Sequence, residues 1–218
     1  MKALGWNCQG MGRNLGSPKM CHLARLISSA NPQVTFVFEI KSSKFRPSDL
    51  STRFNMYDSL VVPSRHRSGG LWLMWTNDLI VHVHSANFHV ILATCVNTTS
   101  NHQFGLVCIY GDPYHRETSQ IWDQVASFVY DNSSMPMLCL GDMNELLYDT
   151  DKNSPKINRS RMTAFRAFVK HCGLFDLGFS GPAYTWTNRR ISSNPVYERL
   201  DRCLVNAELC DAYPVSNV

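Results

Sequence analysis

The chain has no Cys-x-x-Cys pair, no low-complexity tract, no internal repeat and no apolar run approaching membrane-spanning length. The first absence removes most support for a zinc site, and the last leaves no candidate for a membrane span. The eight cysteines are scattered, and Cys8, Cys95, Cys108 and Cys139 sit inside apolar runs, where a free thiol acts as a small core residue. Such usage points to a reducing compartment, and the amino terminus runs straight into a strand with no basic-then-apolar leader. A nuclear or cytoplasmic, non-secreted protein is therefore expected, and the triplets at Asn97, Asn132 and Asn158 that fit the glycosylation pattern are chance matches. A strong charge of either sign is also missing. The net charge of +4 and pI near 8.6 are compatible with a polyanionic partner but lie far from a histone-like binder.

What is present is an ordinary globular composition, 44% hydrophobic and 17% charged, over 218 residues. That length builds one sizeable core, and one domain spanning 1–218 without an internal linker is expected. The pattern centres on Met137-Leu138-Cys139-Leu140-Gly141-Asp142-Met143-Asn144. Four apolar residues read as a buried strand that ends in Gly-Asp-x-Asn, at the rim where layered α/β folds bind ligands. As an isolated octapeptide this is equally an ordinary turn. Repetition shifts the balance: Ala3 to Trp6 runs into Asn7, Val34 to Phe38 into Glu39, and Leu106 to Ile109 into Tyr110. Each apolar run ends in a polar group able to bind a metal ion or a phosphate.

Along the chain, Pro18 opens a helix to about Ser28, and the second strand ends at Glu39, which makes a strand–helix–strand start. A short helix from Pro47 to about Phe54 precedes strands over Tyr57–Val62, Leu71–Trp75, Ile80–His84, Val90–Val96 and Phe104–Tyr110. Their short turns read as antiparallel pairs. Thr118 or Ser119 caps a helix to about Tyr130, and a polar loop from Asp149 to Ser160 leads to a helix over Met162–His171 that Gly173 ends. Strands are expected over Leu174–Phe179, Tyr184–Thr187 and Glu198–Val205. Helices flanking two groups of strands imply two packed sheets covered by helices.

Eight ordered blocks carry a family resemblance: Trp6-Asn7-Cys8-Gln9-Gly10, Glu39, Arg67-Ser68-Gly69-Gly70-Leu71, Tyr110-Gly111, Gly141 to Glu145, Gly173 to Phe179, Gly181 to Arg190, and Glu198-Arg199-Leu200-Asp201-Arg202. In this order the chain resembles the endonuclease/exonuclease/phosphatase superfamily, specifically the plant-type endonuclease domain of non-LTR (LINE-type) retrotransposons. The resemblance implies a deoxyribonuclease-I-like, four-layer α/β/β/α sandwich. It further implies a Mg2+-dependent phosphodiesterase, with Mn2+ as a substitute, that nicks DNA and leaves the 3′-hydroxyl that primes reverse transcription. Glu39 then resembles the main metal ligand, with Asn7 beside it; Asp142 the residue that orients and deprotonates the attacking water; Asn144 the amide that holds water or phosphate. Tyr110 is similar to the phosphate-contacting tyrosine and Asp201 to the carboxylate on the penultimate catalytic strand. Thr185 and Asn188 fall on the segment similar to the DNA-contacting hairpin. DNA is the expected partner, with no membrane and no small-molecule cofactor.

Those residue types suit the chemistry without the family. Phosphodiester and hydroxide are both anionic, so a site must neutralise charge and place water in line. Magnesium prefers carboxylate and amide oxygens and keeps several waters.

The chain also departs from the family pattern. The family's Ser-Asp-His block on a last strand has no counterpart before Val218, so a sandwich lacking its last strand and impaired in catalysis is expected. Ile40 follows Glu39 where the family has a short hydroxyl residue, and Asp112-Pro113 replaces a His-Pro-like pair. An inactive retrotransposon remnant with at most nucleic-acid binding is the alternative reading, and a phosphatase of the same fold a lesser one. Asp176 reads as a structural carboxylate, and Trp72, Trp75, Trp122 and Trp186 as core. Arg161 is the best phosphate-facing candidate of Arg159, Arg161 and Arg166, while Arg67 lies in a turn equally suited to phosphate contact or hairpin entry.

Overall fold

The computed structural model describes residues 1–12, 14–65, 68–190 and 194–218, so Arg67 lies outside the described residues. The chain forms two compact units, Met1–Tyr110 and Gly111–Val218.

In the first unit, β1 (Ala3–Asn7) runs parallel to β2 (Val34–Phe38), joined through α1 (Pro18–Ala30). Ser17 caps α1 by accepting from Met20 N, and Pro18 fits the first turn, where its missing N–H costs nothing. After α2 (Pro47–Phe54), β3 (Asp58–Val62) and β4 (Leu71–Trp75) complete an antiparallel side, giving the order β1-β2-β4-β3. β2 and β4 are buried on both faces and read as unbroken apolar runs for that reason. Met20, Leu23 and Ile27 of α1 and Leu50 and Phe54 of α2 pack with Val37, Trp72 and Met74. A second antiparallel set, β5 (Leu79–Ala86), β6 (Val90–Asn97) and β7 (Gln103–Tyr110), follows. The alternation of β5 is the mark of a strand with one wet face, and Ile80, His82 and His84 are exposed. Phe38 of β2 links the two sets through a ring contact with Tyr110 of β7 at 6.2 Å, and Phe36 stacks on Phe38 at 5.0 Å.

In the second unit, β8 (Met137–Asp142) pairs antiparallel with β12 (Asp201–Val205), which pairs with the two-residue β9 (Phe175–Asp176). α3 (Thr118–Asp131) and α4 (Arg159–His171) meet through Trp122, whose ring stacks on Phe168 at 4.6 Å. β10 (Trp186–Thr187) and β11 (Tyr197–Glu198) form a small hairpin, and α5 (Ala207–Ala212) follows β12.

Several sequence expectations are corrected. Neither Thr118 nor Ser119 caps α3: the cap position is Glu117, and the turn before it is held by the Asp112 carboxylate, which accepts from the N–H groups of Tyr114, Arg116 and Glu117. α4 starts at Arg159 because Asn158 caps it by accepting from Arg161 N. The strand expected over Glu198–Val205 is broken at Arg199 and Leu200. There the Arg199 and Arg202 side chains turn inward to the buried Asp176 and Asp151 carboxylates, with Arg202 fully buried. Asp176 is thus the structural carboxylate expected. Trp72, Trp75 and Trp122 are core, whereas Trp186, on the short β10, is 37% exposed.

Candidate active site

In the first unit the polar strand ends gather at the termini of β1, β2 and β7. Asn7 is in register with Phe38, so Glu39 is the next residue along the neighbouring strand. Glu39 adopts a left-handed backbone, φ 57°, which turns the chain out of the sheet immediately after Phe38. Its carbonyl accepts from Gly10 N at 2.7 Å and from the Cys8 thiol at 3.3 Å. Its carboxylate is shared: Tyr110 Oη donates to Oε1 at 2.8 Å, and the Lys41 ammonium lies 2.9 Å from Oε2. Tyr110 is set in turn by His89, whose carbonyl accepts from Tyr110 N at 2.7 Å. Asn7 Oδ1 accepts from Gln9 N at 3.1 Å. Ile40 puts its side chain into the core, fully buried.

A carboxylate and an amide oxygen at adjoining strand ends are the hard donors that Mg2+ takes while keeping its waters. By donor type these residues fit a hydrated divalent cation, and the Lys41 ammonium on Oε2 is the charge that such a cation would displace. Among the described residues no group of three or more His, Cys, Asp or Glu side chains forms a closed metal cage.

In the second unit Asp142 is buried at the end of β8, and its Oδ1 accepts from Asn144 N at 2.9 Å. Asn144 is left-handed, φ 50°, and its Nδ2 donates to Gly111 O at 2.8 Å, while Gly111 N donates to Asp142 O at 2.7 Å. This approach requires glycine at position 111: a Cβ there would lie 2.3 Å from Met143 O. Asp201 stands directly opposite Asp142 in the β8–β12 register, so both carboxyl groups rise from one face. Thr185 Oγ1 accepts from Leu200 N and Asp201 N, each at 3.1 Å, and Asn188 Oδ1 accepts from Arg190 N and Val196 N, each at 3.2 Å. Both side chains therefore shape the backbone beside Asp201 and in the hairpin loop. Arg161 is anchored: Nε lies 3.1 Å from each oxygen of the buried Glu145 carboxylate, and Nη2 donates to Asn144 O at 3.3 Å.

Sequence reasoning gave no role to Lys41 or His115, nor to Asp112 and Glu145, which it noted only as part of the Asp-Pro departure and of the Gly-Asp-x-Asn block. His115 Nδ1 lies 3.2 Å from Glu145 Oε1. The available signals were weak: a lysine two residues after Glu39, and an Asp-Pro pair ahead of a helix.

The chain matches the model of the Endonuclease/Exonuclease/phosphatase family over residues 4–217. Among curated proteins none matches. Solved structures do. The AP endonuclease LMAP from Leishmania major is 16% identical with a TM-score of 0.76, covering 96% of this chain and 80% of that one. The 3′-5′ exonuclease NExo from Neisseria meningitidis is 18% identical with a TM-score of 0.71, covering 97% and 89%. The endonuclease domain of TRAS1, a telomere-specific non-LTR retrotransposon, is 15% identical with a TM-score of 0.70, covering 96% and 87%. At these identities the likeness shows the fold, the α/β sandwich expected from the sequence, and the match over residues 4–217 adds the family. The chain belongs to the Endonuclease/Exonuclease/phosphatase family, whose chemistry is hydrolytic attack on phosphate esters.

Proposed function

We propose that the chain is a divalent-cation-dependent endonuclease that nicks DNA and leaves a 3′-hydroxyl able to prime reverse transcription, as in a non-LTR retrotransposon. The observation that carries this reading is the Gly-Asp-x-Asn strand end. The Asp142 carboxylate is held at the rim by Asn144 N, and Asn144 is itself locked onto Gly111. Asp142 then orients and deprotonates the attacking water, and the Asn144 amide keeps a second N–H and its oxygen for water or phosphate. Glu39 and Asn7 would hold Mg2+, or Mn2+ in its place, and the single Tyr110 O–H, which donates to the Glu39 carboxylate here, would turn to the phosphate when substrate binds. When bound, the cation supplies charge neutralisation at the phosphate. Asp201, opposite Asp142, adds a second carboxylate to that face. The ordered sequence blocks and the TRAS1 likeness support the retrotransposon setting.

The test is incubation of supercoiled plasmid with the chain and Mg2+, followed by extension of the product with a DNA polymerase. Open circles that extend without prior phosphatase treatment support the reading. Release of phosphate from 3′-phosphorylated oligonucleotides without plasmid nicking would replace it with a phosphatase of the same fold.

A further inference from the structure

The β6–β7 ladder is closed by a side chain. Beyond the Val90–Ile109 pair stand His89 and Tyr110, and Tyr110 N donates to His89 O at 2.7 Å, one half of an antiparallel hydrogen-bonded pair. The His89 amide is turned elsewhere, to Asn87 Oδ1 at 2.9 Å, inside a tight turn that Asn87 N closes onto Val90 O. The imidazole takes its place: His89 Nδ1 lies 2.9 Å from Tyr110 O. A carbonyl can only accept, so Nδ1 carries the proton. The His89 ring is buried and nearly parallel to that of Tyr110, with centroids 6.5 Å apart. Histidine thus holds Tyr110 by both backbone groups and by its ring, and Tyr110 Oη in turn donates to Glu39 Oε1 at 2.8 Å. The neighbouring Phe88 fills the space a Cβ on Gly69 would take, its Cζ 2.3 Å from that position, and meets the His89 ring edge-on at 5.1 Å. Gly69 O accepts from Lys41 N at 2.8 Å and Gly70 O from Ile40 N at 3.2 Å. The two residues after Glu39 are therefore fixed to the segment on which Phe88 rests.

We infer that His89 is a positioning residue for the Glu39 carboxylate. Its Nδ1–H, standing in for a backbone amide, fixes the end of β7 so that the Tyr110 hydroxyl reaches Glu39, while Phe88 seats the same turn against Gly69. The consequence for cation binding rests on the reading of Glu39 as the cation's ligand, whereas the hold of His89 on Tyr110 stands apart from it.

Two substitutions separate the donor from the ring. His89→Asn keeps an N–H donor at the place of Nδ1 and loses the ring, and His89→Phe keeps a ring and loses the donor. In protein labelled with fluorotyrosine, the Tyr110 fluorine resonance is the one missing from Tyr110→Phe, and its tie to the carboxylate is read from its shift in Glu39→Gln. His89→Phe is expected to move or broaden that resonance and to raise the Mn2+ dissociation constant, read from the paramagnetic resonance of the free ion, by about three- to tenfold, the effect of one lost hydrogen bond. His89→Asn is expected to keep the resonance near its parent position and the constant within about twofold. A Tyr110 resonance unmoved in His89→Phe or in Glu39→Gln overturns the inference, as do equal losses in His89→Asn and His89→Phe, which would assign the whole effect to the bulk of the ring. If His89→Phe loses its folded circular-dichroism spectrum, His89→Gln, whose amide is carried one bond beyond the Nδ1 position, replaces it in the comparison. A parent that binds no Mn2+ removes the cation reading and leaves the resonance to decide the positioning; normal Mn2+ binding with an unmoved resonance does the reverse.

Discussion

Asp142 and Asp201 face each other directly across the β8–β12 pair, two carboxylates on one side of an antiparallel ladder. Like charges in that position oppose one another by a few tenths to about 1 kcal/mol. A site retains such a pair because a cation, a proton or a water must be handled between acids. Asp201→Asn is thus expected to raise the melting temperature slightly while slowing nicking. Thermal unfolding and plasmid nicking on the same preparation check this, and a variant that is both less stable and fully active would contradict it.

Gly111→Ala is expected to be among the most damaging single-methyl additions in the chain. The added Cβ would lie 2.3 Å from Met143 O, so the segment carrying Asn144 must shift. Both Gly111 N→Asp142 O and Asn144 Nδ2→Gly111 O would stretch. A loss of several kcal/mol, or an insoluble product, is expected from overpacking combined with broken buried hydrogen bonds. Urea unfolding measures it, and a loss under about 1 kcal/mol would show that the close approach is relaxed in solution.

The elements legible in the sequence were those whose apolar spacing matches how they are buried. Doubly buried β2, β4 and β8 read as continuous runs, and Pro18 and Pro47 marked helix starts. The polar residues ending the strands were legible for the same reason, because Glu39 and Asn144 break the run where the chain turns through a left-handed residue. Charge-lined interiors were not legible. Arg199 and Arg202 look like solvent-facing residues, yet they are buried on Asp176 and Asp151, and that inward turn interrupts the strand expected over Glu198–Val205. The roles of Asp112 and Glu145 were not legible either: Asp112 is satisfied by the N–H groups of the loop that follows it and Glu145 by an arginine sixteen residues on, and neither partnership carries a local pattern.

His115 gives a pH dependence with a definite sign. Burial, then the Arg161 guanidinium, hold its imidazole below the usual histidine range, against the opposing pull of Glu145 and Asp112. As pH falls through about 6.5 the unfolded chain takes up a proton that the folded one resists, so stability drops in that window and not above it. Melting temperature against pH should fall more steeply from pH 7 to 5.5 in the parent than in His115→Gln. Parallel curves would contradict this.

The thiols should separate into two reactivity classes. Burial pushes Cys8, Cys95 and Cys203 each up to about 12, and Cys139 well above its ordinary value, whereas Cys21 is exposed on α1. Since the thiolate is the nucleophile, iodoacetamide at pH 8 should modify Cys21 first and reach Cys8, Cys95 and Cys139 only in denaturant. Peptide mass spectrometry of a timed reaction reads the order, and early labelling of Cys95 or Cys139 would mean that the strands carrying them open.

The most direct test compares initial plasmid-nicking rates of the parent, Glu39→Gln and Asp142→Asn over a Mg2+ titration. Loss of a general base costs about 100- to 10,000-fold, and added cation does not restore it. Loss of the cation-holding carboxylate weakens Mg2+ binding, so its deficit shrinks as Mg2+ rises. The account predicts a Glu39→Gln rate that climbs toward the parent at high Mg2+ and an Asp142→Asn rate that stays flat and at least 100-fold down. An Asp142→Asn protein that nicks within a few-fold of the parent would contradict it.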